Sequence, residues 1–122
     1  ARALHARAGA EAEVQVRVGA AADWLATGLL GKLDVLILDH RGTRYHEDLR
    51  TAEASLSPHG SGARVFADNV LLPGAPLFLD YVSDRDYSVA IHDVKEFLRP
   101  ELDDWVVVCV PRIRLNSGGR PR

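Results

Sequence analysis

The sequence has little of the chemistry that marks several common classes of protein. Its one cysteine, Cys109, has no second cysteine with which to form an internal disulfide, so we expect a reducing compartment. No apolar run approaches the roughly 20 residues that span a bilayer, which predicts a soluble chain without a membrane span. A formal net charge of -2 over 122 residues gives no reason to expect nucleic acid or an anionic membrane as a partner. Nothing in the composition separates the cytoplasm from an organelle interior.

Methionine is absent as well, and residues 1–10 are rich in alanine and arginine in the manner of a helix already under way. Gly9 is a suitable stop for that helix. We therefore expect further residues upstream of Ala1. Size does not limit folding, because 122 residues with 47% apolar content can bury a core of their own.

Apolar runs typical of strands recur along the chain. One of them, E-V-Q-V-R-V, alternates valine with polar residues, whereas L-D-V-L-I-L is nearly continuous and indicates a strand covered on both faces. The predicted strands are Val14–Val18, Leu33–Leu38, Arg64–Ala67, Tyr87–Ile91 and Trp105–Val110.

Helical spacing of apolar residues lies between these strands. Helices are predicted around Trp24, around Leu49 and from Pro73, where the missing N–H suits a first turn. A short helical or irregular piece is expected at Val94–Leu98. The alternation predicts an α/β sheet with right-handed crossovers, in which ligands bind beyond the carboxyl ends of the strands.

Polar residues follow two of the predicted strands directly. Asp39 comes after L-D-V-L-I-L, and Asp68 and Asn69 come after R-V-F-A. Adjacent parallel strands lie about 4.8 Å apart, so these oxygens can share one cation. The donor set suits Mg²⁺ best, with Ca²⁺ and Mn²⁺ as alternatives. The other interpretation is structural, since Asp and Asn after a strand often cap a helix or build a turn.

Two segments resemble the catechol O-methyltransferase family: L-D-V-L-I-L-D-H-R-G-T-R-Y and V-F-A-D-N-V-L-L-P-G-A-P. The likeness runs roughly from Val14 to Val110. It implies an incomplete Rossmann-like methyltransferase sheet, mostly parallel, that lacks the first two strands of the family. We expect residues 1–115 to form this C-terminal part of the domain and residues 116–122 to be a disordered tail.

The family binds S-adenosylmethionine and Mg²⁺ and methylates one hydroxyl of a catechol. The resemblance therefore implies roles for particular residues of this chain. Asp39, Asp68 and Asn69 would hold the Mg²⁺. His40 and Asp39 would lie toward the cofactor. Asn69 and Pro73 would lie toward the catechol.

Several working residues of the family have no counterpart here. The lysine that accepts the proton of the reacting hydroxyl is replaced by Gly42, and a Ser-Gln pair beside the adenine is replaced by Ala21 and Ala22. Glu96 and Glu101 are the nearest candidates for a late glutamate at the substrate, but neither falls on that position without shifting the alignment. A glycine-rich G-x-G-x-x-G turn is missing from the chain.

The missing first strand would leave one edge of Leu33–Leu38 open, so we expect a partner chain or a missing N-terminal half to cover it. Two hypotheses follow. The chain is a segment of a Mg²⁺- and S-adenosylmethionine-dependent O-methyltransferase, inactive when alone. Alternatively, it is a non-catalytic accessory or structural subunit derived from that family.

Overall fold

The computed structural model describes residues 2–10, 12–57 and 62–112. The α-helices are α1 (Arg2–Arg7), α2 (Ala21–Ala26), α3 (Tyr45–Ala52) and α4 (Pro76–Ser83). The strands are β1 (Val35–Leu38), β2 (Arg64–Ala67), β3 (Tyr87–Glu96) and β4 (Arg99–Pro111). Shorter helical turns occur at Gly42–Arg44, Glu53–Ser55 and Val70–Gly74. The expected tail at 116–122 lies outside these residues. No helix within them is long and apolar enough to cross a bilayer.

The four strands form one sheet in the order β1-β2-β4-β3. β1 and β2 are parallel, and β4 is antiparallel to both of its neighbours, β2 and β3. Three strands therefore run in one direction and only β4 runs in the other, so one of the three described pairings is parallel and two are antiparallel. The predicted α/β sheet is confirmed. Within the described part of the chain, β1 has a single partner strand and forms an edge of the sheet.

The core lies on the face of the sheet that carries the row Leu38, Ala67 and Val107. All three are almost fully buried, at 2%, 0% and 0% exposure. Helices α3 and α4 cover this face because their apolar residues recur at helical spacing and point one way. The buried apolar residues of the two helices are Tyr45, Leu49, Ala52, Phe78 and Val82.

The opposite face of the sheet is exposed along β1 and half-buried at Phe66 and Val108 in the described part of the chain. The row between the core rows consists of Ile37, Phe66 and Val108, and Ile37 is 67% exposed. Val35, on the same face of β1, is 53% exposed. The prediction that this strand is covered on both faces is therefore wrong for the described residues. Both helices that pack against the sheet lie on one side of it.

The segment 14–18 was predicted as a strand from its alternating valines, and this prediction is wrong. It has no ladder partner in the described sheet. Side chains of the neighbouring helices bond its carbonyl groups instead. Arg2 donates to the carbonyl oxygen of Val16 at 3.2 Å, and the indole of Trp24 donates to that of Val18 at 3.2 Å. Alternation sets which residues share a face, but it does not provide a partner strand.

Two further predictions need correction. The piece at 94–98 is not helical, because β3 continues to Glu96 and turns directly into β4, with Lys95 paired to Asp103. The helix expected from Pro73 begins three residues later, since Pro76 takes its first turn and Pro73 lies in the Val70–Gly74 turn after a cis peptide bond. The extended β3–β4 hairpin and the later start of α4 both lie near the edge of the sheet at which β1 and β2 end.

The core can be tested with two leucines of the same size. Leu49 is fully buried in α3, whereas Leu77 on α4 is 53% exposed. We expect Leu49→Ala to lower the free energy of unfolding by about 2–5 kcal/mol because it removes buried methyl groups and leaves a cavity. Leu77→Ala should cost no more than about 0.5 kcal/mol. Urea unfolding followed by circular dichroism measures both, and equal losses would contradict the assignment of the core face.

Candidate metal site

Two carboxylates lie at the ends of neighbouring strands. In the parallel pairing of β1 with β2, Leu38 lies opposite Ala67, and the next residues are Asp39 and Asp68. The backbone N–H of Asp68 donates to the carbonyl oxygen of Leu38 at 3.0 Å, so the pairing continues to the point where the acids begin. The structure therefore places both acids at one edge of the sheet.

The hydroxyl of Tyr45 marks the centre of this edge. Tyr45 is 1% exposed, and its hydroxyl donates to the carbonyl oxygen of Asp68 at 3.1 Å. Burial raises the pKa of Tyr45, and the charges of Asp39 and Asp68 raise it further. A hydrogen bond from the backbone of His40 acts in the opposite direction on this pKa, and Asp104 adds a smaller upward effect. The charges of both strand-end carboxylates therefore act on the same hydroxyl.

Asn69 is held in an uncommon backbone conformation. Its φ of 54° is left-handed, a region that asparagine tolerates better than most residues with a side chain. Its backbone N–H donates to Oδ1 of Asp68 at 2.8 Å, which is the turn role foreseen as the alternative to metal binding. That bond occupies one oxygen of Asp68 and leaves Oδ2 as a ligand atom. The turn role and the ligand role are therefore compatible.

Asp104 fixes the turn that follows β2, and sequence reasoning missed it. It is 1% exposed, and its carboxylate accepts hydrogen bonds from the side-chain amide of Asn69 at 2.9 Å and from the backbone N–H of Leu71 and Leu72 at 3.1 and 3.0 Å. The N–H of Trp105 adds a bond at 2.7 Å. Burial acts to raise the pKa of Asp104, but these four bonds outweigh it and lower the pKa below its usual value. The only signal in the sequence was an acidic pair before an apolar strand.

The side chain of His40 contacts helix α3. Its Nε2 lies 2.6 Å from Oδ2 of Asp48, which is 3% exposed, and its ring centroid lies 5.0 Å from that of Tyr45. One ring nitrogen is therefore occupied by a buried carboxylate. The role of His40 toward a cofactor stays a prediction.

Gly42, where the resemblance implies a lysine in the family, leaves no room for a side chain. A Cβ added there would lie 2.4 Å from the carbonyl oxygen of Gly74 and 3.2 Å from Cβ of Ala75. The turn after β1 thus lies directly against the turn after β2. A side chain of any kind at position 42 would have to force these two turns apart.

The remaining candidates lie toward the rim. Pro73 is exposed in the Val70–Gly74 turn, next to the residues that Asp104 holds. Glu96 and Glu101 lie on either side of the β3–β4 turn, and Glu101 pairs with Arg99 at 3.8 Å. Glu101 lies three residues before Asp104 along β4, about 10 Å at the rise of a strand. The described contacts connect neither glutamate to the strand-end acids.

Within residues 2–10, 12–57 and 62–112, no group of three or more His, Cys, Asp or Glu side chains is arranged to hold a metal ion. The set at this edge consists of two carboxylates and one amide, Asp39, Asp68 and Asn69. Such a set provides few protein oxygens, which suits a hard cation that keeps part of its water shell. Cys109 offers no alternative ligand, since it is buried in β4 and burial raises its pKa to about 12.

Comparison with known proteins places these observations in a family. No protein-family model matches the chain. It is 46% identical over 65 residues to the transmembrane O-methyltransferase homolog of Mus musculus, covering 52% of this chain and 24% of that protein. It is 49% identical over 65 residues to the transmembrane O-methyltransferase of Homo sapiens, covering 52% and 22%. It is 35% identical over 93 residues to catechol O-methyltransferase B of Danio rerio, covering 72% and 35%. The chain thus spans about a third of these relatives or less.

Solved structures agree in fold. An O-methyltransferase from Bacillus cereus in complex with SAH has a TM-score of 0.77 at 18% identity, covering 91% of this chain and 56% of that one. The O-methyltransferase TomG from Streptomyces achromogenes in complex with SAM has a TM-score of 0.76 at 21% identity, covering 92% and 56%. In sequence, the chain is related to the catechol O-methyltransferase family and corresponds to its C-terminal portion, and in fold it matches solved O-methyltransferases.

Proposed function

We propose that this chain supplies the cation-binding and acceptor-binding part of an S-adenosylmethionine-dependent O-methyltransferase. The observation that carries the proposal is the placement of Asp39 and Asp68 at adjacent strand ends, both acting on the hydroxyl of Tyr45. The names of the relatives and the folds of the solved O-methyltransferases support the same reaction class.

The cation proposed for this edge is Mg²⁺, held by Asp39, Asp68 and the amide oxygen of Asn69. A bound dication supplies charge that lowers the pKa of a coordinated hydroxyl and so favours the oxyanion that attacks a methyl donor. The protein's part is to hold three oxygens on rigid supports. Two of them follow hydrogen-bonded strands, and the third belongs to a turn braced by the buried Asp104.

The acceptor proposed is a catechol, whose adjacent hydroxyls can both reach one cation. Asn69 and the exposed Pro73 lie on the same braced turn, so this turn would contact the aromatic ring beside the metal. Holding acceptor and methyl donor in line contributes much of the rate in such reactions. Precise support of the turn therefore matters for activity as well as for binding.

The chain alone should bind the cation and the acceptor without transferring a methyl group. His40 and Asp39 are the cofactor contacts that the resemblance implies here, while Ala21 and Ala22 offer no polar groups to an adenine. Position 42 holds no proton acceptor, and the carbonyl of Gly74 blocks one from being installed there. Transfer would need the cofactor-binding half of the domain and a different base.

A second candidate function is that of a non-catalytic accessory or structural subunit. Two observations favour it: the close contact at Gly42 and the bare apolar face of the sheet at Val35 and Ile37. A partner chain or an N-terminal half would pair with the open edge of β1 and cover this face. The two candidates differ in whether the chain binds a divalent cation, which can be measured directly.

Metal binding is tested with conservative changes at the strand ends. Mn²⁺ serves as an EPR-visible probe because it takes the same hard oxygen ligands as Mg²⁺. We expect Asp39→Asn and Asp68→Asn each to weaken Mn²⁺ binding by at least about tenfold, a loss that even an outer-shell partner can produce. Asp80→Asn, on the exposed side of α4, is the matched control and should leave it unchanged. Failure of the unaltered chain to bind Mn²⁺ would favour the accessory subunit.

Acceptor chemistry is tested with two isomeric diols. Catechol should tighten Mn²⁺ binding roughly tenfold, equivalent to about 1.4 kcal/mol, because both of its oxygens can bind the same ion. Resorcinol has the same atoms with hydroxyls on alternate carbons, so it cannot chelate and should have little effect. Equal effects of the two diols in the same EPR titration would contradict a catechol site while leaving the metal site in place.

The blocked position is tested with the smallest possible side chain. Gly42→Ala should lower the free energy of unfolding by about 1–3 kcal/mol, since its Cβ overlaps the carbonyl oxygen of Gly74. Thr43→Ala, at an exposed position of the same turn, is the control and should cost less than about 0.5 kcal/mol. Urea unfolding compares them. A fully stable Gly42→Ala protein would mean that the turns can separate and that a side chain fits there.

A further inference from the structure

The carboxylate of Asp104 accepts four hydrogen bonds next to the proposed site. Its Oδ1 accepts from the backbone N–H groups of Leu71, Leu72 and Trp105, at 3.1, 3.0 and 2.7 Å. Its Oδ2 accepts from the side-chain amide of Asn69 at 2.9 Å. A buried carboxylate is costly unless its lone pairs are satisfied, and here both oxygens have partners.

The two oxygens of Asp104 act on different parts of the turn. The three bonds to Oδ1 hold backbone and would anchor the turn whatever side chain stood at position 69. The bond to Oδ2 holds only the end of one side chain. This Oδ2 bond therefore does not serve to anchor the backbone. It determines the orientation of the Asn69 amide.

An amide has two chemically different ends of similar shape, one an acceptor oxygen and the other an NH₂ donor. Only the oxygen can bind a cation. Because a carboxylate accepts and does not donate, Asp104 selects the NH₂ end of Asn69 and turns the oxygen away from itself. If the amide were reversed, two oxygens would face each other and the NH₂ group would be directed toward the cation.

We propose that Asp104 is a positioning residue, whose carboxylate fixes the amide of Asn69 in the orientation that presents its oxygen to the metal. This inference rests on the proposed function, since it requires a cation at Asp39 and Asp68. Asp104 itself touches neither metal nor substrate. Its action resembles that of the hydrogen-bonded partners which orient metal ligands generally, and whose loss lowers metal affinity by about 10–100-fold.

The test reverses the polarity of the Oδ2 bond. Asp104→Asn keeps an oxygen for the three backbone N–H groups, but it places an NH₂ group opposite the NH₂ of Asn69. We expect this change to weaken Mn²⁺ binding, measured by EPR, by about 10–100-fold. Asp103→Asn is the matched control, because Asp103 is the exposed neighbour that pairs with Lys95, and it should leave the affinity unchanged.

The double variant Asp104→Asn with Asn69→Asp restores the hydrogen bond with donor and acceptor exchanged. The new carboxylate accepts from the new amide and offers its other oxygen to the cation, so Mn²⁺ affinity should recover to within about threefold of the unaltered chain. The same variant answers the case in which Asp104→Asn alone fails to fold. A purely structural carboxylate would not be rescued by a change in the side chain at position 69.

A third variant tests whether Asp104 acts on Mn²⁺ affinity through Asn69. In an Asn69→Ala background, Asp104→Asn should cause no further loss of Mn²⁺ affinity, because the amide through which Asp104 acts is gone. Three outcomes would each overturn the inference while the proposed metal site stands. They are unchanged Mn²⁺ affinity in Asp104→Asn, no recovery of affinity in the double variant, and an equal further loss in the Asn69→Ala background. Absence of Mn²⁺ binding by the unaltered chain would overturn both.

Discussion

The site depends on the register in which β1 pairs with β2. Leu38 lies opposite Ala67, and both side chains are buried against the helices at 2% and 0% exposure. Because side chains alternate across a strand, a slip of one residue would move this whole row to the bare face and expose it. The same register brings Asp39 and Asp68 side by side. Burial of apolar residues on one face thus determines the spacing of two charged residues beyond it.

The parts of the fold that depend on local pattern were predictable from the sequence. β2 has the predicted bounds, Arg64–Ala67, because a short run containing Val65 and Phe66 stands between a stretch of sequence rich in Gly and Ser and a polar turn. Helix α3 follows from the spacing of Tyr45 and Leu49. The segment 14–18 has an equally clear pattern and is not a strand. A strand needs a partner from elsewhere in the chain, and alternation carries no information about one.

The residues of the site also divide into those that a local pattern predicts and those that it does not. Asp39, Asp68 and Asn69 could be proposed because position after a strand is a local property and adjacent parallel strands end at one edge. Asp104 could not, since it meets Asn69 only because β4 enters the sheet between β2 and β3, 35 residues later in the chain. The contact of Gly42 with Gly74 is likewise a meeting of two turns from different strands. Such contacts follow from strand order, which a pattern of residues does not specify.

Gly42 and Asp104 act on the same turn from two sides and with different consequences. Asp104 bonds the backbone and one side chain of the turn after β2, and so holds that turn in place. Gly42 lets the turn after β1 approach the carbonyl oxygen of Gly74, at the cost of any side chain at position 42. Close packing therefore joins the two turns by the same contact that excludes a side chain from position 42. Under the proposed function, the same packing holds the cation ligands in place and keeps a proton acceptor out of position 42.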